Sequence, residues 1–443
     1  MKYYSTNKKT SPTPLSEAVI KGIAPDRGLY MPENIKRLPE EFFKHIDELS
    51  FKEISFEVAK AFFDEDVNEN ELKKIVYDTI SFDCPIVHVN NNIWALELFH
   101  GPTLAFKDVG ARFMARMLAY FIKNENPTIN NKGKELTQTV NVLVATSGDT
   151  GSAVANGFLN VENIHVYVLY PKGKVSKIQE CQFTTLGHNI TAIEVDGTFD
   201  DCQTLVKEAF ADKELNAIMK LTSANSINVA RFLPQAFYYF NAYARIKKLG
   251  LSDNLVVCVP SGNFGNLTAG LFAKRMGLPI KRFIIANNIN DVVCNYLKTG
   301  NYSPRQSIQT IANAMDVGAP SNFARMLDLY GFSYSKMSAD ISGTAYEDLQ
   351  IRTAIKECYK KYGYVLDPHG ACGWQALNDG LKDSETGIFL ETAHPAKFKD
   401  TVENIIGTTL TIPQRLANFM HGKKQSIPMT NQYEDFKKIL TNQ

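Results

Sequence analysis

The chain has 443 residues, with 48 Lys and Arg against 47 Asp and Glu, a net charge of +1. This length supports two or three domains around a large core, while the balanced charge offers no basic field for nucleic acid or an anionic membrane. Seven scattered cysteines without a CxxC pair read as reduced thiols. With no signal-peptide core near the start and no run of the ~18 apolar residues a membrane span needs, the expected location is the cytoplasm.

In chain order, residues 1–95 read as a small N-terminal domain, with Pro and Gly punctuation in "GIAPDRGLYMPENIKRLPEEF" followed by amphipathic helices such as "LSFKEISFEVAKAFF". From Asn92 the rhythm changes to short apolar runs that feed loops and then helices: "IWALELF", "VNVLVAT", "NIHVYVLY", "NITAIEV", "NLVVCVP" and "KRFIIAN". Such alternation predicts βαβ units and an α/β fold with buried parallel sheet. Two lobes are expected, 96–230 and 231–443. Ligands in these folds collect where strands end and helices begin, so the loops 99–107, 146–151 and 260–266 are read first.

In "LFHGPTLAFKDVGARFMARML", Lys107 stands at the predicted start of a helix, where the backbone's partial positive charge disfavours a cation. A solvated surface lysine is the ordinary explanation. Against it, Leu104, Ala105 and Phe106 precede Lys107, and Val109, Phe113, Met114, Met117, Leu118 and Phe121 continue an apolar face.

"VLVATSGDTGSAVANGFLN" is a strand to about Ala145, a polar loop from Thr146 to Gly151, and a helix. Its hydroxyls and free amides suit a carboxylate, and its Ser and Asp equally suit helix caps. Further on, "LTSANSINVARFLPQAFYYF" puts Asn225, Ser226 and Asn228 before a helix and Arg231 in its first turns. A guanidinium there is unfavourable unless an anion intervenes, and Arg matches phosphate well. A solvated Arg on a capped helix is the competing reading.

"LVVCVPSGNFGNLTAGLFAKRMG" predicts a strand over about 255–259, the loop "PSGNFGN", and a helix from about Leu267. Gly262 and Gly265 permit close backbone approach, Asn263 and Asn266 add polar reach, and amides entering the helix favour a phosphate. The pattern is neither a P-loop nor a dinucleotide fingerprint. A phosphate-bearing aldehyde in this loop would explain Lys107, since imine formation removes the free ammonium; that cofactor would be pyridoxal phosphate. Spacing alone does not identify it.

Together, "HGPTLAFKD", "ATSGDTGSA", "PKGKVSKIQ", "SANSIN" with "ARFLPQ", "PSGNFGN" and "LETAHPAKF" resemble the threonine synthase family of fold-type II pyridoxal-phosphate enzymes. The resemblance runs from "SEAVIKGIAPDRGLYMP" to about Phe398. It implies a tryptophan synthase β-like fold of two open parallel-sheet lobes plus an N-terminal domain. It also implies Lys107 as the Schiff-base lysine, Gly262, Asn263, Phe264, Gly265 and Asn266 as the cofactor phosphate loop, and Thr392 beside the pyridine nitrogen. Thr146, Ser147 and Thr150 would meet the substrate carboxylate, with Asp149 near the cofactor's phenolic oxygen. Many fold-type II enzymes carry Asn at that place, so Asp149 and the phenolic oxygen are expected to share a proton as a coupled pair. Asn225, Ser226 and Arg231 would hold the substrate's own phosphate.

The implied reaction converts O-phospho-L-homoserine and water to L-threonine and phosphate, with Lys107 as acid and base. Two relatives of the same fold compete: a phospholyase yielding 2-oxobutyrate, and a serine or threonine dehydratase, which would not need a second anion site. A non-catalytic phosphate-binding protein is the alternative from another class. "STNKK" departs from the "STRG" of many members, and His369 in "DPHGACG" reads as structural. No His, Cys and Asp grouping has metal-ligand spacing. Closure of the site and a monomeric or homodimeric state are further expectations.

Overall fold

The computed structural model describes residues 1–124, 128–129, 135–136 and 139–442. The N-terminal residues form a three-stranded antiparallel sheet, Lys2–Ser5 at its centre between Thr13–Pro14 and Tyr30–Pro32. Helices follow, including Phe51–Phe63, whose start is closed by a reciprocal Ser50 and Glu53 capping box and whose Phe51, Ile54, Phe56 and Val58 are buried.

All six apolar runs become strands, divided between two sheets. The smaller sheet is entirely parallel, in the order Lys220–Ser223, Val140–Ala145, Ile164–Pro171, Ile190–Asp196, Ile427–Thr430. The larger runs Ile341–Ala345, Arg282–Asn287, Leu255–Pro260, Thr386–Glu391, Ile93–Glu97, Ile86–Asn90, and only the last pair is antiparallel. Every residue of Val140–Ala145, Leu255–Pro260 and Thr386–Glu391 is buried. Covered faces on both sides explain why these strands read as continuous apolar runs rather than alternating ones.

Strand pairing crosses the linear borders expected at 95 and 230. Ile93–Glu97 joins the sheet that carries the 261–266 loop, and Ile427–Thr430 pairs with Ile190–Asp196 in the other sheet. The helix Tyr433–Thr441 also buries Phe436 and Leu440 in the core of that smaller sheet. Each lobe is therefore assembled from separated stretches of chain. Parallel strands need long crossovers, so neighbours in the sheet are distant in sequence.

This topology gathers the loops. In the larger sheet, Leu255–Pro260, Thr386–Glu391 and Ile93–Glu97 are adjacent, so their carboxyl ends deliver 261–266, 392–397 and 98–107 side by side. In the smaller sheet, Val140–Ala145 and Lys220–Ser223 deliver 146–151 and 224–231. No helix among the described residues is long and apolar enough to cross a membrane.

Candidate active site

A cavity of about 410 Å³ lies where these loop ends meet. Lys107 opens into it from the first residue of the helix Lys107–Asn124. Ser147 and Thr150 line it from one loop, Asn225, Ser226 and Arg231 from another, Gly262 to Asn266 from a third, and Thr392 from a fourth. Of the polar residues singled out by sequence, Thr146, Asp149 and Asn228 do not form its wall.

Thr146 and Asp149 face inward. Thr146 is fully buried, and its Oγ1 accepts from the amides of Gly148 at 2.9 Å and Gly151 at 2.8 Å, which folds the loop around its own hydroxyl. Asp149 is buried against Lys397 Nζ at 2.6 Å, and its Oδ1 also accepts from Gln179 Nε2 at 2.8 Å. Gly148 makes this possible: its φ is +140°, and a Cβ there would stand 2.7 Å from Gln179 Cδ. The coupled proton expected between Asp149 and the phenolic oxygen has lost its motive, because a cation already neutralises the carboxylate. Burial would raise that carboxyl, but the charges of Lys397 and Lys107 and the hydrogen bonds of Lys397 and Gln179 hold it below the usual carboxylate range.

Lys397 in turn donates to Thr103 O at 2.9 Å. Thr103 uses its amide and Oγ1 to hold Asp108 at 2.9 and 2.6 Å, beside Lys107. The segment after Thr386–Glu391, the lysine loop and the 146–151 loop are thus pinned by one buried ammonium. Removing either member of such a pair strands a buried charge, at a typical cost of about 3–5 kcal/mol.

The 261–266 loop is organised differently. Phe264 takes the left-handed conformation, φ +60°, at the cap of the helix Gly265–Arg275. The hydroxyls of Tyr238 and Tyr239 both donate to Asn266 Oδ1 at 2.7 Å, fixing the amide's orientation, and Asn266 Nδ2 is buried without a partner. Gly262 also has a packing reason that its sequence neighbours do not show: a Cβ there would stand 2.5 Å from Ala314 O. At Gly265 it would stand 2.9 Å from Ser226 Cβ. The two predicted anion-binding segments are therefore in contact, and Asn263 Nδ2 donates to Ser226 Oγ at 2.8 Å.

Arg231 is buried and donates from Nε to Ala224 O at 2.7 Å and from Nη1 to Lys107 O at 2.9 Å. It is tied to the lysine's own backbone. Asn228 is the cap of the short helix Val229–Phe232, as its position suggested, accepting from Ala230 N at 3.0 Å. His369 lines the cavity. Its Nε2 accepts from Ala314 N at 3.1 Å, which assigns the ring proton to Nδ1, facing Asp367 at 2.5 Å.

The burial of Lys107, helped by the charges of Arg231 and Lys397 and opposed by Asp149, pulls its ammonium from 10.5 to about 8. This answers the question of a cation at a helix start. The site disfavours the charged form and so prepares a nucleophilic amine.

Comparison with known proteins agrees along the whole length. Residues 2–80 match a threonine synthase N-terminus, 77–388 a pyridoxal-phosphate dependent enzyme, and 370–440 a threonine synthase C-terminal region. Threonine synthase from Haemophilus influenzae is 44% identical, covering 99% of both chains. The chain belongs to the threonine synthase family. The crystal structure of threonine synthase from Escherichia coli superposes with a TM-score of 0.92 at 40% identity, covering 100% of both chains. The structure of pyridoxal-phosphate-bound threonine synthase from Brucella melitensis gives a TM-score of 0.90 at 33% identity, covering 99% of this chain and 98% of that one. The fold is accordingly fold-type II. The function is that of a pyridoxal-phosphate-dependent lyase of threonine biosynthesis.

The residues present fit the cofactor. An unpartnered buried N–H on Asn266, beside amides opening the 11-residue helix Gly265–Arg275, is a donor set suited to a phosphate. An amine of lowered basicity on the same cavity suits an aldehyde. Thr392, 6% exposed, offers a neutral hydroxyl, and its backbone oxygen is engaged by Phe106 N at 2.9 Å.

Sequence reasoning missed Gln179, Lys397, Asn322 and Arg325, all polar and buried around the site. It also missed the wall from 313 to 319. Lys397 sat within the quoted "LETAHPAKF", but nothing local marks it as Asp149's partner. A group of three or more His, Cys, Asp or Glu able to hold a metal does not occur among the described residues.

Proposed function

We propose that this chain converts O-phospho-L-homoserine and water to L-threonine and phosphate, with the roles assigned below. The observation that carries this reading is a second set of anion-binding groups, Asn225, Ser226 and Arg231, on the same cavity wall as Lys107 and the 262–266 loop. A dehydratase, acting on substrates without a phosphate, has no use for it.

Asn263, Asn266 and the amides at the start of Gly265–Arg275 would hold the cofactor phosphate, Lys107 the aldehyde carbon, and Thr392 the ring nitrogen. When bound, pyridoxal phosphate supplies an electron sink that acidifies the protons beside the substrate's α carbon. Thr392 is neutral, so it offers a hydrogen bond without holding the ring nitrogen charged. Ser147, Thr150 and the loop amides grip the substrate carboxylate, and Thr146 shapes that loop from behind. Asp149 contributes through Lys397: the pair fixes the loop and places no net charge beneath it.

Lys107 is the acid and base. With its ammonium lowered to about 8, its neutral form is accessible near pH 7, where an ordinary lysine is almost wholly charged. It removes the α proton and can return protons to carbon. Arg231 and Ser226 hold the substrate phosphate and stabilise the charge it takes when it leaves the γ carbon. A β proton is lost as well, the γ carbon takes a proton, water adds its hydroxide at the β carbon and gives its proton to the phosphate, and the α carbon is reprotonated, which completes the balance to threonine and phosphate. The cytoplasm is the location we assign, and a monomer or homodimer the assembly.

Purified protein incubated with O-phospho-L-homoserine tests this reading through phosphate release and identification of the carbon product. Threonine with phosphate is expected. Phosphate with 2-oxobutyrate would mean a phospholyase on the same scaffold, and no phosphate would overturn the assignment of the second anion site.

A further inference from the structure

Arg325, in the helix Phe323–Leu329, has no exposed surface and does not reach the cavity wall. Among the described residues its guanidinium makes hydrogen bonds to neutral acceptors only. Nε and Nη2 donate to Tyr30 O at 3.2 and 3.0 Å, Nη1 to Ser226 O at 3.2 Å and Asn322 Oδ1 at 2.7 Å, and Nη2 to Ile227 O at 2.5 Å. The group stands 4.1 Å from the centre of the Phe232 ring. Among the described residues no carboxylate pairs with it, and burial alone lowers its pKa to about 9. Lys397 meets an anion; Arg325 does not. A buried, unpaired cation is costly unless a negative guest lies near.

Its neighbours point to where that guest binds. Asn322 accepts from Arg325, and its Nδ2 donates to Ser226 Oγ at 3.2 Å and Asn263 O at 3.0 Å. Asn263 Nδ2 donates to Ser226 Oγ as well, at 2.8 Å. With two donors on its oxygen, Ser226 has only its O–H left to offer, and Ser226 lines the cavity. The whole set is anchored to the N-terminal domain through Tyr30 O.

We infer that Arg325 is a positioning residue that determines specificity for a doubly charged phosphate, by leaving its charge unpaired behind Ser226 and by orienting Asn322 so that Ser226 acts as donor. The inference rests on the reading that Asn225, Ser226 and Arg231 hold the substrate phosphate. It goes further by assigning the preference for a dianion to a residue that touches no substrate.

The test uses cofactor-loaded protein and inorganic phosphate as the probe, because the cofactor's own phosphate then occupies its loop. Wild-type protein should gain thermal stability with phosphate, and phosphate should compete with O-phospho-L-homoserine. If it does neither, the reading of the second anion site is wrong and this inference falls with it. Given wild-type protection, Arg325→Gln should weaken phosphate at least tenfold while changing the affinity for L-threonine, which carries no phosphate, by less than twofold. Equal loss of both ligands would reduce Arg325 to a scaffold residue and overturn the proposal. Asn322→Asp puts a carboxylate against the guanidinium and decides the matter if Arg325→Gln does not fold. It should raise the melting temperature of the phosphate-free protein and abolish protection by phosphate; a lower melting temperature or retained protection would refute the unpaired charge.

Discussion

The loops 146–151 and 261–266 look alike in sequence, each a strand end, a Gly-bearing polar turn and a helix start, yet their polar side chains are engaged differently. The first turns Thr146 and Asp149 inward and leaves Ser147 and Thr150 on the cavity. Thr146 binds the amides of Gly148 and Gly151, and Asp149 is closed by Lys397 and Gln179. In the second, Tyr238 and Tyr239 hold one end of Asn266 and leave its N–H unpartnered. A polar residue in a Gly-rich turn is thus no guide to ligand contact until its own hydrogen bonds are counted. Both loops line the cavity that Lys107 enters.

The largest expected effect comes from removing that shared element. Lys107→Ala should lower kcat by about 10³-fold or more and leave no covalently held cofactor. Retention of a borohydride-reducible linkage in the variant would refute the lysine's assignment.

The next effect separates the inward-turned pair of the first loop from the open donor of the second. Lys397→Met should destabilise the protein by about 3–5 kcal/mol, because Asp149 is left buried and charged, and Asp149→Asn in the same background should recover much of it. Denaturant unfolding of the two variants measures this. Equal stability for Lys397→Met and wild type would mean that the pair is not formed. Asp149 is held well below the usual carboxylate range in the fold, so its contribution is present above the unfolded carboxylate pKa near 4 and is lost only as pH falls below it.

Asn266→Ala should do the reverse, lowering cofactor affinity by about 1.5–3 kcal/mol through loss of a hydrogen bond to a charged group, with a smaller effect on folding. Titrating cofactor-free protein with pyridoxal phosphate gives the comparison with Lys397→Met. If Asn266→Ala binds the cofactor normally, the open donor has another guest.

A pH series sharpens the role of Lys107. Its folded pKa is lowered to about 8, and the neutral amine is the reactive form. Cofactor capture by cofactor-free protein should therefore rise by about tenfold from pH 7 to 9 and then flatten. A rate still climbing steeply toward pH 10 would indicate a solvated lysine. The smallest effect is Tyr239→Phe, which should cost about 0.5–1.5 kcal/mol of stability by removing one of two donors from Asn266.

Much of this was legible in the chain. The strands Val140–Ala145 and Leu255–Pro260 declared themselves as apolar runs because both faces are covered. Lys107 stood out because its charge contradicts its place at a helix start, and the structure does put it at the first residue of Lys107–Asn124. Strands without a long apolar run, such as Lys220–Ser223 and Ile341–Ala345, gave no such signal. Linear borders at 95 and 230 carry no trace of the strand pairing for a related reason, since the partner of Ile93–Glu97 is Thr386–Glu391, nearly 300 residues away.

The sequence by itself determined the elements whose signal is local: the α/β alternation, a lysine out of place at a helix start, the polar turns that enter helices, and the motifs that resemble a family. Only the tertiary structure decided which polar side chains those turns leave open and which cations are paired. A hydrogen-bond partner or counter-ion is set by distance in space. Lys397 reaches Asp149, 248 positions away in sequence, while Arg325 is hydrogen-bonded to neutral oxygens and pairs with no carboxylate among the described residues, and no short window of the sequence contains either fact.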